Sequence, residues 1–217
     1  MNRILTQTNR STILNHMNKT TSTTNNTCEH ILDVGEELIL NLGFTAMGLN
    51  ELLATAGVPK GSFYHYFKSK EKFGEAMLTR YFSDYVVMLK EKFSDGQKTQ
   101  RQHLLDYFSH WMTQSCETVC HSKCLVVKLA GEVSDLSEVM REALDSGITR
   151  VIAQLQSSIE SGVEEGSLAI DESPELLADS LYSLWLGAAL RAKVNRSDAP
   201  FVSAMQRTER LLKPGTI

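Results

Sequence analysis

The sequence predicts an all-α protein in which a small N-terminal helical unit is joined to a larger helical bundle. Three observations carry that prediction. Apolar residues recur at helical spacing along nearly the whole chain, and period-two alternation is almost absent. The polar breaks between the periodic runs are short, as connections in helical bundles are. At 217 residues the chain has room for a unit of about 50 residues and another of about 150.

Each element follows from local chemistry. Residues 1–25 are dominated by Thr, Asn and Ser and bury too little apolar surface to offset the entropy of ordering, so they are expected to form a disordered tail. Asn26 with Glu29 three residues later reads as a capping box. Ile31, Leu32, Leu38, Ile39 and Leu42 follow at helical spacing and Gly43 stops the run, predicting a helix over 27–42. A short second helix over 48–55 turns Leu49, Leu52 and Leu53 inward. Ala56-Gly57-Val58-Pro59 is a turn, with Gly free to take positive φ and Pro preset for the first turn of a third helix over 59–67. Ser69 is the expected N-cap of a longer fourth helix with Glu71 at its positive dipole end. Beyond a gap at 95–97, helices are predicted over 101–119, 124–132, 137–162, 175–194 and 200–212, with breaks at His121-Ser122-Lys123 and at GSLAIDESP. The N-terminal unit therefore spans 26–73 and the larger domain 74–217.

Hydrophobic content of 42% and charged content of 22% are those of a soluble globular protein. No run of about 18 apolar residues could span a bilayer, and the N-terminal stretch is broken by polar residues before a signal-peptide core could form. Four cysteines without an export signal indicate a reducing compartment, hence a cytoplasmic protein with free thiols. The net charge of −4 argues against uniform polyanion binding, yet Lys60, Lys68, Lys70 and Lys72 face a single acid, Glu71, within one short segment.

That segment, GVPKGSFYHYFKSKEKF, also crowds five ring-bearing side chains together. On a helix, Phe63 and Phe67 share a face and act as core anchors. The opposite face gathers Lys60, Gly61 and Tyr64, with Ser62, His65 and Tyr66 at its margins. Such a helix, following a short helix and a Gly-containing turn, has the geometry of a helix-turn-helix recognition element. Gly61 costs roughly 1 kcal/mol of helix stability relative to Ala, which a close approach of DNA to the backbone would explain. Base edges would be read by Lys60, Ser62 and Tyr64, and phosphates held by the remaining polar groups.

GVPKGSFYHYFKSKEKFGEAML, preceded by GFTAMGLNELLATA, closely resembles the DNA-binding domain of TetR/AcrR-type transcriptional repressors over about residues 27–75. The resemblance implies DNA contacts at Lys60, Gly61, Ser62, Tyr64, His65, Tyr66 and Lys70. Where the family often opens its second helix with a hydroxyl pair, this chain has Met47-Gly48, leaving backbone N–H groups at Gly48 and beyond as the available phosphate contacts. The resemblance further implies a homodimer on a double-stranded, palindromic operator, paired through the last two long helices, with the C-terminal domain sensing an effector. Leu177, Leu181, Leu184, Trp185 and Ala188 form an apolar stripe compatible with such pairing, and Gly187-Ala188-Ala189 would permit close approach.

Cys116, Cys120 and Cys124 lie four apart with His121 among them, a spacing that is not a standard structural zinc pattern, and no metal or cofactor is expected. Cys28 has no assigned role. Cys124 opens a new helix beside Lys123 and Lys128, where the dipole and the cations are expected to lower its pKa and make it reactive. The surrounding SKCLVVKLAGEVSDLSEVMR and LYSLWLGAALRAKVNRS are similar to the NemR-like, electrophile-sensing branch of the family. By that resemblance Cys124 senses electrophiles or oxidants and Lys193 partners it. Lys128, one turn away, is a second candidate partner. A repressor of a non-covalent apolar ligand, or of a metal, is the alternative reading. No nucleophile signature and no Gly-rich nucleotide loop after a strand occurs, so an enzyme is not expected.

Overall fold

The computed structural model describes residues 23–116 and 124–216. Nine helices are found among them: α1 Thr23–Leu42, α2 Leu49–Ala56, α3 Lys60–Phe67, α4 Lys70–Phe93, α5 Gln100–Cys116, α6 Leu125–Val133, α7 Glu138–Glu164, α8 Pro174–Asn195 and α9 Ala199–Leu211. The all-α class and the order of elements are those expected. Helix α1 begins within the expected tail, and Asn26 lies inside it rather than capping it. Once a helix is nucleated by packed residues, propagation adds one hydrogen bond per residue fixed, so polar residues upstream can join it. The rest of the expected tail, residues 1–22, and the break at 121–123 lie outside the described residues.

One feature departs from pure helix. Leu168–Ala169 (β1) pairs antiparallel with Lys213–Pro214 (β2), Leu168 opposite Pro214. The predicted turn at GSLAIDESP thus contains a strand too short to show any periodicity, and Pro214 is tolerated because a two-stranded ladder is all edge. Arg101 Nε donates to Leu212 O at 2.8 Å, tying the same tail to α5.

Helices α1 to α3 and the first turns of α4 form the head. Its core is built from Ile31, Ile39, Met47, Leu52, Phe63 and Phe73, all fully buried. Phe63, Phe67 and Phe73 pack ring against ring at centroid distances of 5.2–5.7 Å. His30 Nε2 lies 3.0 Å from Ala56 O, joining α1 to the end of α2. On the outside, Arg80 of α4 holds three carboxylates of α1: Glu29 at 2.9 Å, Asp33 at 2.8 Å and Glu36 at 3.4 Å.

The body packs around α4, α7 and α8. Trp185 of α8 is fully buried, stacks on Phe108 at 5.0 Å, and donates from Nε1 to Thr208 Oγ1 of α9 at 2.9 Å. Helices α4 and α7 meet at Gly147, where a Cβ would fall 2.0 Å from the Phe82 ring. Replacing a helical Gly by Ala ordinarily gains about 1 kcal/mol. Here overpacking against a buried ring costs about 1–3 kcal/mol and reverses the sign. Gly147→Ala is therefore expected to lower the unfolding midpoint in urea, and Phe82→Leu in the same chain to relieve part of the Gly147→Ala penalty.

Candidate functional site

The head presents α3 to solvent along one side. Gly57, with φ +64, closes α2 by donating its N–H to Ala54 O, and Val58 N–H reaches Leu53 O at 3.1 Å. This left-handed turn swings the chain so that α3 starts at Lys60 with Pro59 as its N-cap, one residue later than expected. Phe63 and Phe67 point inward, while Lys60, Gly61, Tyr64 and His65 are exposed and Ser62 and Tyr66 half-buried. No atom lies within 4 Å of a Cβ built on Gly61, so nothing in the chain itself requires a glycine there. Lys60 Nζ sits 5.7 Å over the Tyr64 ring, and the Tyr66 ring meets His65 edge-on at 4.9 Å.

At the end of α3, Lys68 takes φ +64, a conformation ordinarily left to Gly, and Ser69 N–H bonds Phe67 O at 2.7 Å. Ser69 then caps α4, its hydroxyl accepting from Lys72 N–H at 3.1 Å as expected. Backbone and Ser69 hydrogen bonds hold the Glu71 carboxyl below its usual range. Lys70 stands differently from the other lysines of the segment. Its ammonium lies 4.7 Å over the Phe44 ring and 3.4 Å from Thr45 O, and burial lowers its pKa. Met47, where the family often carries a hydroxyl, is fully buried, and Gly48 is the exposed N-cap of α2 with no side-chain cap. The first N–H groups of α2 accordingly face outward from a helix N-terminus.

The second group of expected residues lies in the body. Cys124 is the N-cap of α6 rather than its first helical residue. Part of the residue is exposed, yet its sulfur sits among packed side chains and burial pushes the thiol pKa up. The backbone N–H groups of Val126 and Val127 and the charge of Lys193 act in the opposite direction without overcoming it. The expectation of a lowered pKa is therefore corrected: the helix end was weighed in the sequence, but burial depends on residues distant in the chain. Tyr81, Tyr85 and Tyr182 are near enough to feel a thiolate at Cys124, although burial is the main cause of their raised pKa values, that of Tyr85 reaching about 12. Tyr85 OH is hydrogen-bonded to Tyr107 OH at 2.9 Å and accepts from Trp111 Nε1 at 3.1 Å.

The two candidate lysine partners separate. Lys193, exposed in the last turn of α8, acts electrostatically on Cys124. Lys128 instead donates to Asn41 O, at the end of α1, at 3.3 Å. Cys120 and His121 lie outside the described residues, and no cluster of three or more metal-ligating side chains occurs among the described ones. No helix among them is long and apolar enough to cross a membrane.

The expected pairing stripe needs correction. Leu177, Leu181, Trp185 and Ala188 are buried within the protomer. The face of α8 left outside carries Leu176, Ser183, Gly187, Leu190 and Val194, with Leu190 at 53% and Val194 at 77% exposure. Val202 of α9 is exposed as well. The spacing of seven from Leu176 to Ser183 to Leu190, with Gly187 and Val194 between and beyond, was present in the sequence as a seam that helix pairing uses.

Comparison with known proteins agrees with this anatomy. Residues 31–77 match the family described as bacterial regulatory proteins, tetR family, and residues 101–208 match the tetracyclin repressor-like C-terminal domain. The chain is 47% identical over 196 residues to the HTH-type transcriptional repressor NemR of Escherichia coli K12, covering 90% of this chain and 98% of that protein. It is 33% identical to the HTH-type transcriptional repressor DhaR of Mycobacterium sp. strain GP1, covering 87% and 93%. The crystal structure of the reduced form of E. coli NemR matches with a TM-score of 0.85 at 46% identity, over 88% of this chain and 100% of that one. These relatives are transcriptional regulators rather than enzymes. The chain belongs to the TetR family of bacterial transcriptional regulators.

Proposed function

We propose that this TetR-family transcriptional repressor is released from its operator when Cys124 is modified by an electrophile or oxidant. The observation that carries the reading is the placement of Cys124: a thiol at the N-cap of a helix, its sulfur acted on by two helix N–H groups and by Lys193. The similarity to NemR, a protein with a reduced form, points the same way. A raised pKa keeps the resting thiol protonated and slow, which restricts reaction to electrophiles that are strong or well placed.

With an activated alkene, the sulfur forms a bond to one carbon as the π bond opens, and the other carbon takes a proton. An oxidant that delivers oxygen takes the thiol to a sulfenic acid and is itself reduced by two electrons. The Lys193 amine can then displace water and close a reversible S–N bond, analogous to sulfenamide formation at a backbone nitrogen.

On the DNA side, α3 enters the major groove of a palindromic operator. Lys60, Ser62 and Tyr64 read base edges, and His65, Tyr66, Lys70 and the α2 N-terminus at Gly48 hold phosphates. Two copies pair through the exposed seam of α8 and α9, so that the two heads match the two half-sites.

These assignments have measurable consequences. Cys124→Ser is expected to bind operator like the parent and to stay bound after N-ethylmaleimide; release of the Ser variant in a mobility-shift assay removes the thiol from the mechanism. Because the thiol pKa is raised, its labelling rate should climb roughly tenfold per pH unit between pH 7 and 8.5 without a plateau, following the thiolate fraction. Lys193→Met removes a charge that favours thiolate, so it should slow that rate. Lys60→Ala or Ser62→Ala is expected to cost about 1–3 kcal/mol and relax operator preference, while Lys70→Ala lowers the salt slope by about one. Leu190→Glu with Val194→Glu should give a monomer by light scattering and abolish tight operator binding.

A further inference from the structure

We propose that Glu132, with Lys128 one turn before it, is the contact through which the state of Cys124 reaches the DNA-contacting head. The inference rests on the thiol reading above and adds the route of coupling. Lys128 and Glu132, four apart, share one face of α6, and Cys124 is the N-cap of the same helix. The first hydrogen bond of that helix runs from Lys128 N–H to Cys124 O at 3.1 Å. Leu125, Val126, Leu129 and Val133 are buried, so α6 moves as a short rigid rod, about 13 Å long.

The far end of the rod meets the head at the turn between α1 and α2. Glu132 Oε2 accepts from the backbone N–H of Phe44 at 2.5 Å and of Thr45 at 3.3 Å. Lys128 Nζ donates to Asn41 O at 3.3 Å, placing a cation at the negative end of α1. Gly43 takes φ +94, and a Cβ there would fall 2.6 Å from Glu132 Oε1. The turn is thus shaped to admit the carboxylate. From the other side Lys70 of α4 lies over Phe44, bonds Thr45 O, and feels the charge of Glu132.

This turn is anchored inside the head by Phe44 and Met47, both buried, and leads directly to Gly48 at the start of α2. A shift at the N-cap of α6 is therefore delivered to the helix that positions α3. An isolated surface ion pair would contribute little. A carboxylate on two backbone N–H groups is charge-assisted and fixed in direction.

The test compares operator Kd before and after stoichiometric N-ethylmaleimide in the parent chain, Glu132→Ala and Glu132→Gln, with adducts at Cys124 read by mass spectrometry. In the parent, labelling is expected to weaken binding about tenfold or more. In Glu132→Ala, Cys124 labels to the same extent but the ratio of the two Kd values falls to within about threefold of one. Glu132→Gln, which keeps the shape and one acceptor oxygen, falls between, and carries the comparison should the Ala variant not fold. Hydrogen exchange over residues 41–47 should accelerate on labelling of the parent. Release in the parent with an equal Kd ratio in the variants, or with unchanged exchange at 41–47, overturns the Glu132 route alone. Labelling of Cys124 without release in the parent overturns the thiol reading as well.

Discussion

Everything the head does depends on Phe63 and Phe67 packing against Phe73. Helix α3 has eight residues, far fewer than an isolated helix needs to persist in water. Its order comes from two rings that it buries and a third supplied by α4. Because those rings occupy one side, the opposite side is left for Lys60, Gly61 and Tyr64. The same rings make α4 part of the head, so the longest link between head and body is packed into both. A change that loosens this aromatic contact would remove the recognition surface and its connection together.

The body meets the head by two kinds of contact. Arg80 gathers Glu29, Asp33 and Glu36 and fastens α1 to α4 along their lengths. Glu132 and Lys128 grip the opposite end of α1 and the turn after it. The first is a cluster of partly solvated charges, screened by salt and tolerant of small movements. The second relies on directional bonds to backbone groups, which are sensitive to displacement. A regulator needs both a joint that stays closed and one that responds.

Much of this was legible in the sequence because it is local. The cap at Ser69, the turn at Gly57 and the inward pair Phe63 and Phe67 are decided by neighbours within a few residues. What escaped detection was set by distance along the chain. Glu132 reads as an ordinary helical acid, since its partners are N–H groups some 88 residues earlier. The direction of the Cys124 shift follows burial by elements far away in sequence. Leu177, Leu181 and Trp185 were indistinguishable from Leu176, Leu190 and Val194 by hydrophobicity alone, because α8 is apolar on more than one side. The β1 and β2 ladder joins segments too short to have any pattern.

The chain has two tryptophans, and both are in the body. Trp185 stacks on Phe108 and donates to Thr208, and the Trp111 ring meets it edge-on at 6.1 Å. Trp111 donates to Tyr85, one of the tyrosines within electrostatic reach of Cys124. The two indoles therefore form a touching pair that reaches toward the sulfur through Tyr85, so that chemistry at the sulfur can be followed by intrinsic fluorescence without attaching a dye.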